Sequence, residues 1–105
     1  FSFLGYVAMH VGICSIELRL PGNRSLKGKR RVVHSLCDKV KGKFNVSIAE
    51  VKDNDQWQFL TLGVSCVSND ALKATAILSR VVEYIQLSRG DTELLDYSYE
   101  IISGE

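Results

Sequence analysis

Four polar residues, Lys52-Asp-Asn-Asp55, separate two apolar alternating runs and leave room for little but a tight reversal of the chain. Residues 46–51 precede that turn and residues 57–67 follow it. In the second run Leu60, Leu62, Val64 and Cys66 share one side, while Trp57, Phe59, Thr61 and Ser65 share the other. That period of two is the signature of a half-buried strand. Two strands joined so closely form an antiparallel hairpin. The hairpin constrains everything else, because helix-patterned segments flank it on both sides.

Upstream, residues 10–20 alternate, with Cys14, Ile16, Leu18 and Leu20 opposite Ser15, Glu17 and Arg19. Pro21-Gly22-Asn23 ends this strand. Ser25 then suits the N-cap of a helix running to about Lys43, with Gly42 near its stop. On a helical wheel Leu26, Val33, Leu36, Cys37, Val40 and Phe44 fall on one apolar side. Downstream, Ser68-Asn-Asp70 opens a second helix with Ser68 or Asn69 as cap. Its apolar positions are Leu72, Ala76, Leu78, Val81, Val82 and Ile85. Residues 88–92 end it, and Arg89-Gly-Asp91 within them reads as a turn. Residues 94–102 are the last strand, with Leu95, Tyr97, Tyr99 and Ile101 alternating against Asp96, Ser98 and Glu100.

Two strand–helix–strand units joined by a hairpin, with right-handed crossovers, predict an α/β (α+β) chain of ferredoxin-like βαββαβ type. Both helices cover one face of a four-stranded antiparallel sheet. The other face stays open and shows Ser15, Glu17, Arg19, Trp57, Phe59, Thr61 and Ser65. At 105 residues, 46% hydrophobic and 24% charged, the chain is sized for one core and is not of disordered composition. Residues 1–8 are apolar and lack a basic leader pattern. They precede Met9, so the expectation is a non-native or upstream extension followed by one domain over 9–105. No apolar run reaches the roughly 18 residues that a spanning helix needs, so no membrane partner is expected. Cys14, Cys37 and Cys66 lack metal or disulfide spacing and sit among apolar neighbours, as small buried hydrophobes in a reducing, cytoplasmic setting would.

Charge is the informative feature. Residues 19–43 hold nine of the thirteen Lys and Arg against a single acid, Asp38, so this window carries +8 and the remainder −7. Lys27, Arg30, Arg31, His34 and Lys41 fall within roughly 100° of arc on an ideal helix. Arg24 stands in the loop just before it, beside the free N–H groups and positive dipole end of the helix. Such a surface fits RNA phosphates or another polyanion. It equally fits a solvated helix face paired to acids such as Glu83 or Glu100, or an acidic protein partner. Trp57 and Phe59, with Arg19, sit where an open sheet would stack bases or hold a dimer together.

Enzymatic signatures are sparse. The two histidines, His10 and His34, form no ligand cluster, and no nucleophile–base pairing or phosphate-cradling glycine motif appears. No cofactor or metal is therefore expected. An acylphosphatase-like use of Arg24 would suit the fold, but that family's signature loop is missing.

Several segments in order resemble the bacterial YlxP-like family: Val11-Gly-Ile-Cys14, Leu20-Pro-Gly-Asn-Arg-Ser-Leu-Lys-Gly-Lys-Arg-Arg-Val-Val33, Phe44-Asn-Val-Ser-Ile-Ala-Glu-Val51, Trp57-Gln58, Leu62-Gly-Val-Ser-Cys-Val-Ser-Asn-Asp70 and Leu94-Leu-Asp-Tyr97. Gly28 departs from the helix-favouring residue, often Glu, expected at its place. The resemblance implies a ferredoxin-like domain of unassigned activity, often encoded beside translation-initiation and ribosome-maturation genes. It brings no catalytic residues. The expectation is a phosphate-binding module for rRNA or the small ribosomal subunit. The alternative is a homodimeric protein-interaction or small-ligand domain that uses the open sheet.

Overall fold

A computed structural model of the protein describes residues 8–104. The expectation about a preceding extension falls on residues that lie, apart from Ala8, outside this range. Element order is β1 (Met9–Arg19), α1 (Leu26–Lys43), β2 (Ser47–Lys52), β3 (Phe59–Ser68), α2 (Ala71–Ser88) and β4 (Glu93–Gly104). The four strands form one antiparallel sheet in the order β2-β3-β1-β4. This is the ferredoxin-like arrangement: each strand–helix–strand unit has a strand of the other inserted between its own two.

Strand alternation builds the core. Cys14, Ile16 and Leu18 of β1 register with Val64, Leu62 and Leu60 of β3, and all six are buried. Helix α1 contributes Val32, Leu36, Cys37 and Val40, and α2 contributes Ala74, Leu78, Val81, Val82 and Ile85. Helix α2 lies over β1, β3 and β4, while α1 packs beside β2 and against α2.

Local chemistry sets the helix ends. Ser25 adopts an extended conformation and its Oγ accepts the Gly28 N–H at 3.0 Å, a side-chain cap on one orphan donor. The last turn of α1 closes with Phe44 N–H donating to Val40 O at 2.8 Å. For α2 the cap is Asp70, rather than Ser68 or Asn69. Its Oδ1 accepts from the Leu72 and Lys73 N–H groups at 2.8 and 3.4 Å, while Ser68 Oγ accepts the Asp70 N–H at 3.1 Å. Leu72, expected among the apolar positions, lies more than roughly 100° around the helix from the centre of the buried stripe and is 81% exposed. The buried stripe begins at Ala74 instead. A second correction concerns β3, which begins at Phe59; Trp57 lies in the preceding bend, off the strand.

The Arg89-Gly-Asp91 segment is the expected turn. Arg89 Nε and Nη2 donate to the two Asp91 carboxylate oxygens at 2.8 Å each, and this bonding holds the Asp91 carboxyl below its ordinary range. All three cysteines are buried thiols. Burial pushes Cys14 up to about 11 and raises Cys37 and Cys66, so the reactive thiolate is suppressed.

Candidate nucleic-acid interface

Two loops meet at one end of the molecule. Leu20 N–H donates to Gln58 O at 2.8 Å, and the Gln58 amide donates to Pro21 O and Asn23 O at 3.3 and 3.2 Å. Asn23 Nδ2 donates to Ser25 O at 2.8 Å and to Trp57 O at 2.5 Å. The Pro21–Ser25 loop, the N-terminus of α1 and the bend carrying Trp57 are thereby stitched together. Gly28 now has a reason: a Cβ there would collide with Asn23 Oδ1, so the glycine keeps this bridging amide in place.

The cations divide into two groups. Lys29 is only 1% exposed at its side chain. Its Nζ lies 2.7 Å from Glu50 Oε2 and also donates to the Asp53 carbonyl. Asp53 holds a left-handed conformation at φ 63°, which Asp tolerates better than most residues. Its backbone oxygen also accepts the Gln56 N–H at 3.0 Å, and its carboxylate accepts the buried Thr61 hydroxyl at 3.3 Å. Lys29 is thus a structural tie between α1 and the β2–β3 hairpin. It belongs to no phosphate surface.

Arg24, Lys27, Arg30, Arg31 and Lys41 are all exposed. Among the described residues none of them forms an ion pair with a carboxylate, and neither Glu83 nor Glu100 reaches them. The exposed His34 is different, because its Nδ1 stands 3.6 Å from Asp38 on the next turn. No acid occupies the first turn of α1, although the dipole there would favour one. Ser25 uses the Gly28 N–H through its side chain and the Lys29 N–H through its carbonyl.

The open sheet face has the opposite character. Glu17 registers with Asp96 on β4, and Glu93 and Glu100 lie on the same face. Of the strand-borne cations on this face, Arg19 and Lys52, Arg19 is matched by Glu93 at 3.5 Å. Phe59 registers with Arg19 and is 42% exposed, while Trp57 is 55% exposed. The structure therefore separates the proposed residues: Trp57 lies in the bend bonded to the loop that carries Arg24, and Arg19 and Phe59 pair at the ends of the two central strands, with Glu93 beside Arg19. Sequence periodicity missed this division, because the stitching hydrogen bonds involve mostly backbone carbonyls, which carry no residue-type signal.

No group of His, Cys, Asp or Glu among the described residues is arranged to hold a metal ion. The hollows on the surface are shallow. One of them, about 560 Å³, is lined by Ile13, Ala49, Val51 and Lys41.

The fold and this face define a class: a ferredoxin-like α+β domain with one basic helix face left without carboxylate partners. Residues 11–99 match the family described as "Protein of unknown function (DUF503)", and the chain belongs to that family. It is similar to "Uncharacterized protein YlxP" of Bacillus subtilis (strain 168), 35% identical over 75 residues, which cover 71% of this chain and 82% of the relative. The YlxP-like resemblance stands. Among solved structures the chain is similar to a C-terminal segment of the alpha subunit of aIF2 from Pyrococcus abyssi. The TM-score is 0.51 at 13% identity, over 95% of this chain and 53% of that one, a likeness of fold alone. The De novo designed protein Foldit4 gives a TM-score of 0.49 at 14% identity, over 90% of this chain and 99% of that one.

Proposed function

We propose that this domain binds RNA without catalysis, using Arg24, Lys27, Arg30, Arg31 and Lys41 as phosphate contacts, with rRNA of the small ribosomal subunit as the partner class. The observation that carries this is the absence of carboxylate partners for those five side chains among the described residues. A solvated face in a chain with nearly balanced charge has acids available for pairing. Here Glu17, Glu93, Asp96 and Glu100 lie on the open sheet face, and none of the acids pairs with these five side chains. Phosphate contacts of this kind supply affinity and position with little sequence readout.

The test is a salt series of rRNA-fragment and small-subunit binding, comparing wild type with the Arg30→Glu/Arg31→Glu variant. Each lost phosphate contact lowers the slope of log K against log salt by about 0.7 on single strands and about 0.9 on duplex. The double variant is expected to lose a slope of about 1.4–1.8 and at least about tenfold in affinity at low salt. Unchanged slope in a folded variant would remove these arginines from the interface.

A second reading, homodimerisation through the open face, is favoured by one feature. Val11 registers with Val67 on one side and Ile102 on the other, and both of those neighbours are more than half exposed beside Ile13. If this apolar end holds a second copy, light scattering at rising concentration should show a dimer that Val67→Lys abolishes. A monomer at every concentration ends that reading.

A further inference from the structure

We propose that the Trp57 indole is a stacking platform for an unpaired base, so that the ligand is RNA with a single-stranded segment rather than blunt duplex. This rests on the phosphate-binding role of the basic face and adds the class of RNA that the same surface selects. Trp57 is the chain's single tryptophan, and more than half of it is exposed. Yet the peptide that carries it is not a loose tip. Its carbonyl accepts from Asn23 and the next side chain, Gln58, donates to two carbonyls of the Pro21–Ser25 loop. Pro21 and Asn23 of that loop are therefore tied to the bend, and Arg24 follows Asn23 directly.

The peptide that carries the indole is already ordered by these bonds, so a ligand has only the side chain left to order. Its neighbours also say what kind of ligand. A protein-binding tryptophan is ordinarily ringed by residues that exclude water around an apolar centre. Here the adjoining loop and helix start present Arg24 and Lys27, exposed and without carboxylate partners. Aromatic face beside unpaired cations is the combination that holds single-stranded nucleic acid: the cations take the backbone and the ring takes a base. A base inside a duplex is already stacked on both sides and has no face to offer. An unpaired base does.

Because Trp57 is the lone tryptophan, its fluorescence reports the platform directly. The experiment titrates the full chain with three short RNAs sharing one sequence: single strand, blunt duplex, and duplex with a single-stranded overhang. Labelled-RNA anisotropy is followed alongside. Single strand and overhang should quench Trp57 and bind more tightly than blunt duplex. Trp57→Ala should lose about five- to a hundredfold on those two probes, leave the blunt duplex nearly unchanged, and recover in Trp57→Phe. The indole makes none of the stitching bonds, so the variant should keep its fold, checked by circular dichroism.

Salt-dependent binding of all three RNAs with no quenching, or Trp57→Ala equal to wild type, overturns the platform and leaves the phosphate-binding role standing. Failure of every probe to bind at low salt overturns both. A fluorescence change on raising protein concentration without RNA would assign the indole to a second copy and overturn the proposal.

Discussion

Lys29→Met is expected to destabilise the domain by about 3 kcal/mol, the low end of the range for removing one partner of a buried ion pair. Methionine keeps most of the apolar stem that Lys29 packs into the core, so lost volume explains little of that cost. What remains is a Glu50 carboxylate, 14% exposed, with its ammonium gone, and an Asp53 carbonyl without its donor. Partial solvent access at Glu50 is the reason to expect the low end. In a domain of this length the midpoint of thermal unfolding should fall by about 12–20 °C. The companion variant Lys29→Met/Glu50→Leu removes both charges and should recover most of the loss, since a well-packed apolar pair often equals a buried ion pair. Urea unfolding of wild type and both variants decides the matter. A single variant within 1 kcal/mol of wild type, on the scale of an exposed pair, would mean that water reaches Glu50.

Gly12→Val should cost about 2 kcal/mol through overpacking. Gly12 lies on the helix-facing side of β1, where a Cβ would come 2.8 Å from Leu78 Cδ1, 3.1 Å from Cys66 Sγ and 3.3 Å from Ile101 Cδ1. Leu78 is fully buried and has nowhere to retreat. The glycine lets α2 approach the sheet closely, a common role for glycine inside a strand. Leu78→Ala in the Gly12→Val background should restore part of the stability, because the two side chains contend for one space and their effects will not add. Gly63 is a control with similar crowding and a different outcome. A Cβ there would come 2.8 Å from Val51 Cγ1, but Val51 is 60% exposed and can rotate away. Gly63→Ala should therefore change little. If Gly12→Val unfolds at the wild-type urea midpoint, α2 is less closely seated than described.

Much of this fold is legible before any coordinates. Alternation at Cys14, Ile16 and Leu18 and again at Leu60, Leu62 and Val64 places those side chains on the buried face, as observed. Ser25 caps α1, and the polar turn after β2 closes an antiparallel hairpin. Such features are local, set by the backbone period and by one or two side-chain hydrogen bonds. The second helix shows the limit. Ser68, Asn69 and Asp70 are all competent caps by residue type, and the structure uses Asp70, with Ser68 Oγ bonded to the Asp70 N–H instead.

Lys29 is the instructive miss. At 100° per residue it falls at about 20° from both Leu36 and Val40, in the middle of the apolar arc of α1. Position argued for burial, charge argued against it, and the choice depended on whether another element could supply a buried acid. Glu50, 21 residues away in sequence and half-hidden in an otherwise ordinary strand, is that acid. The basic face has the reverse history. Its residues follow from the wheel, but their lack of carboxylate partners depends on where the sheet carries Glu17, Asp96 and Glu100.

By itself the sequence determined the element order, the strand faces, the cap of the first helix and a +8 window, because each depends on neighbours within a few positions. Only the tertiary structure decided which lysine is buried, that the bend carrying Trp57 is bonded to the loop carrying Arg24, and that Glu17, Asp96 and Glu100 lie on the open sheet face. Those outcomes rest on hydrogen bonds and charge pairs between segments distant in the chain, where strand order and helix packing, rather than residue spacing, set which groups meet.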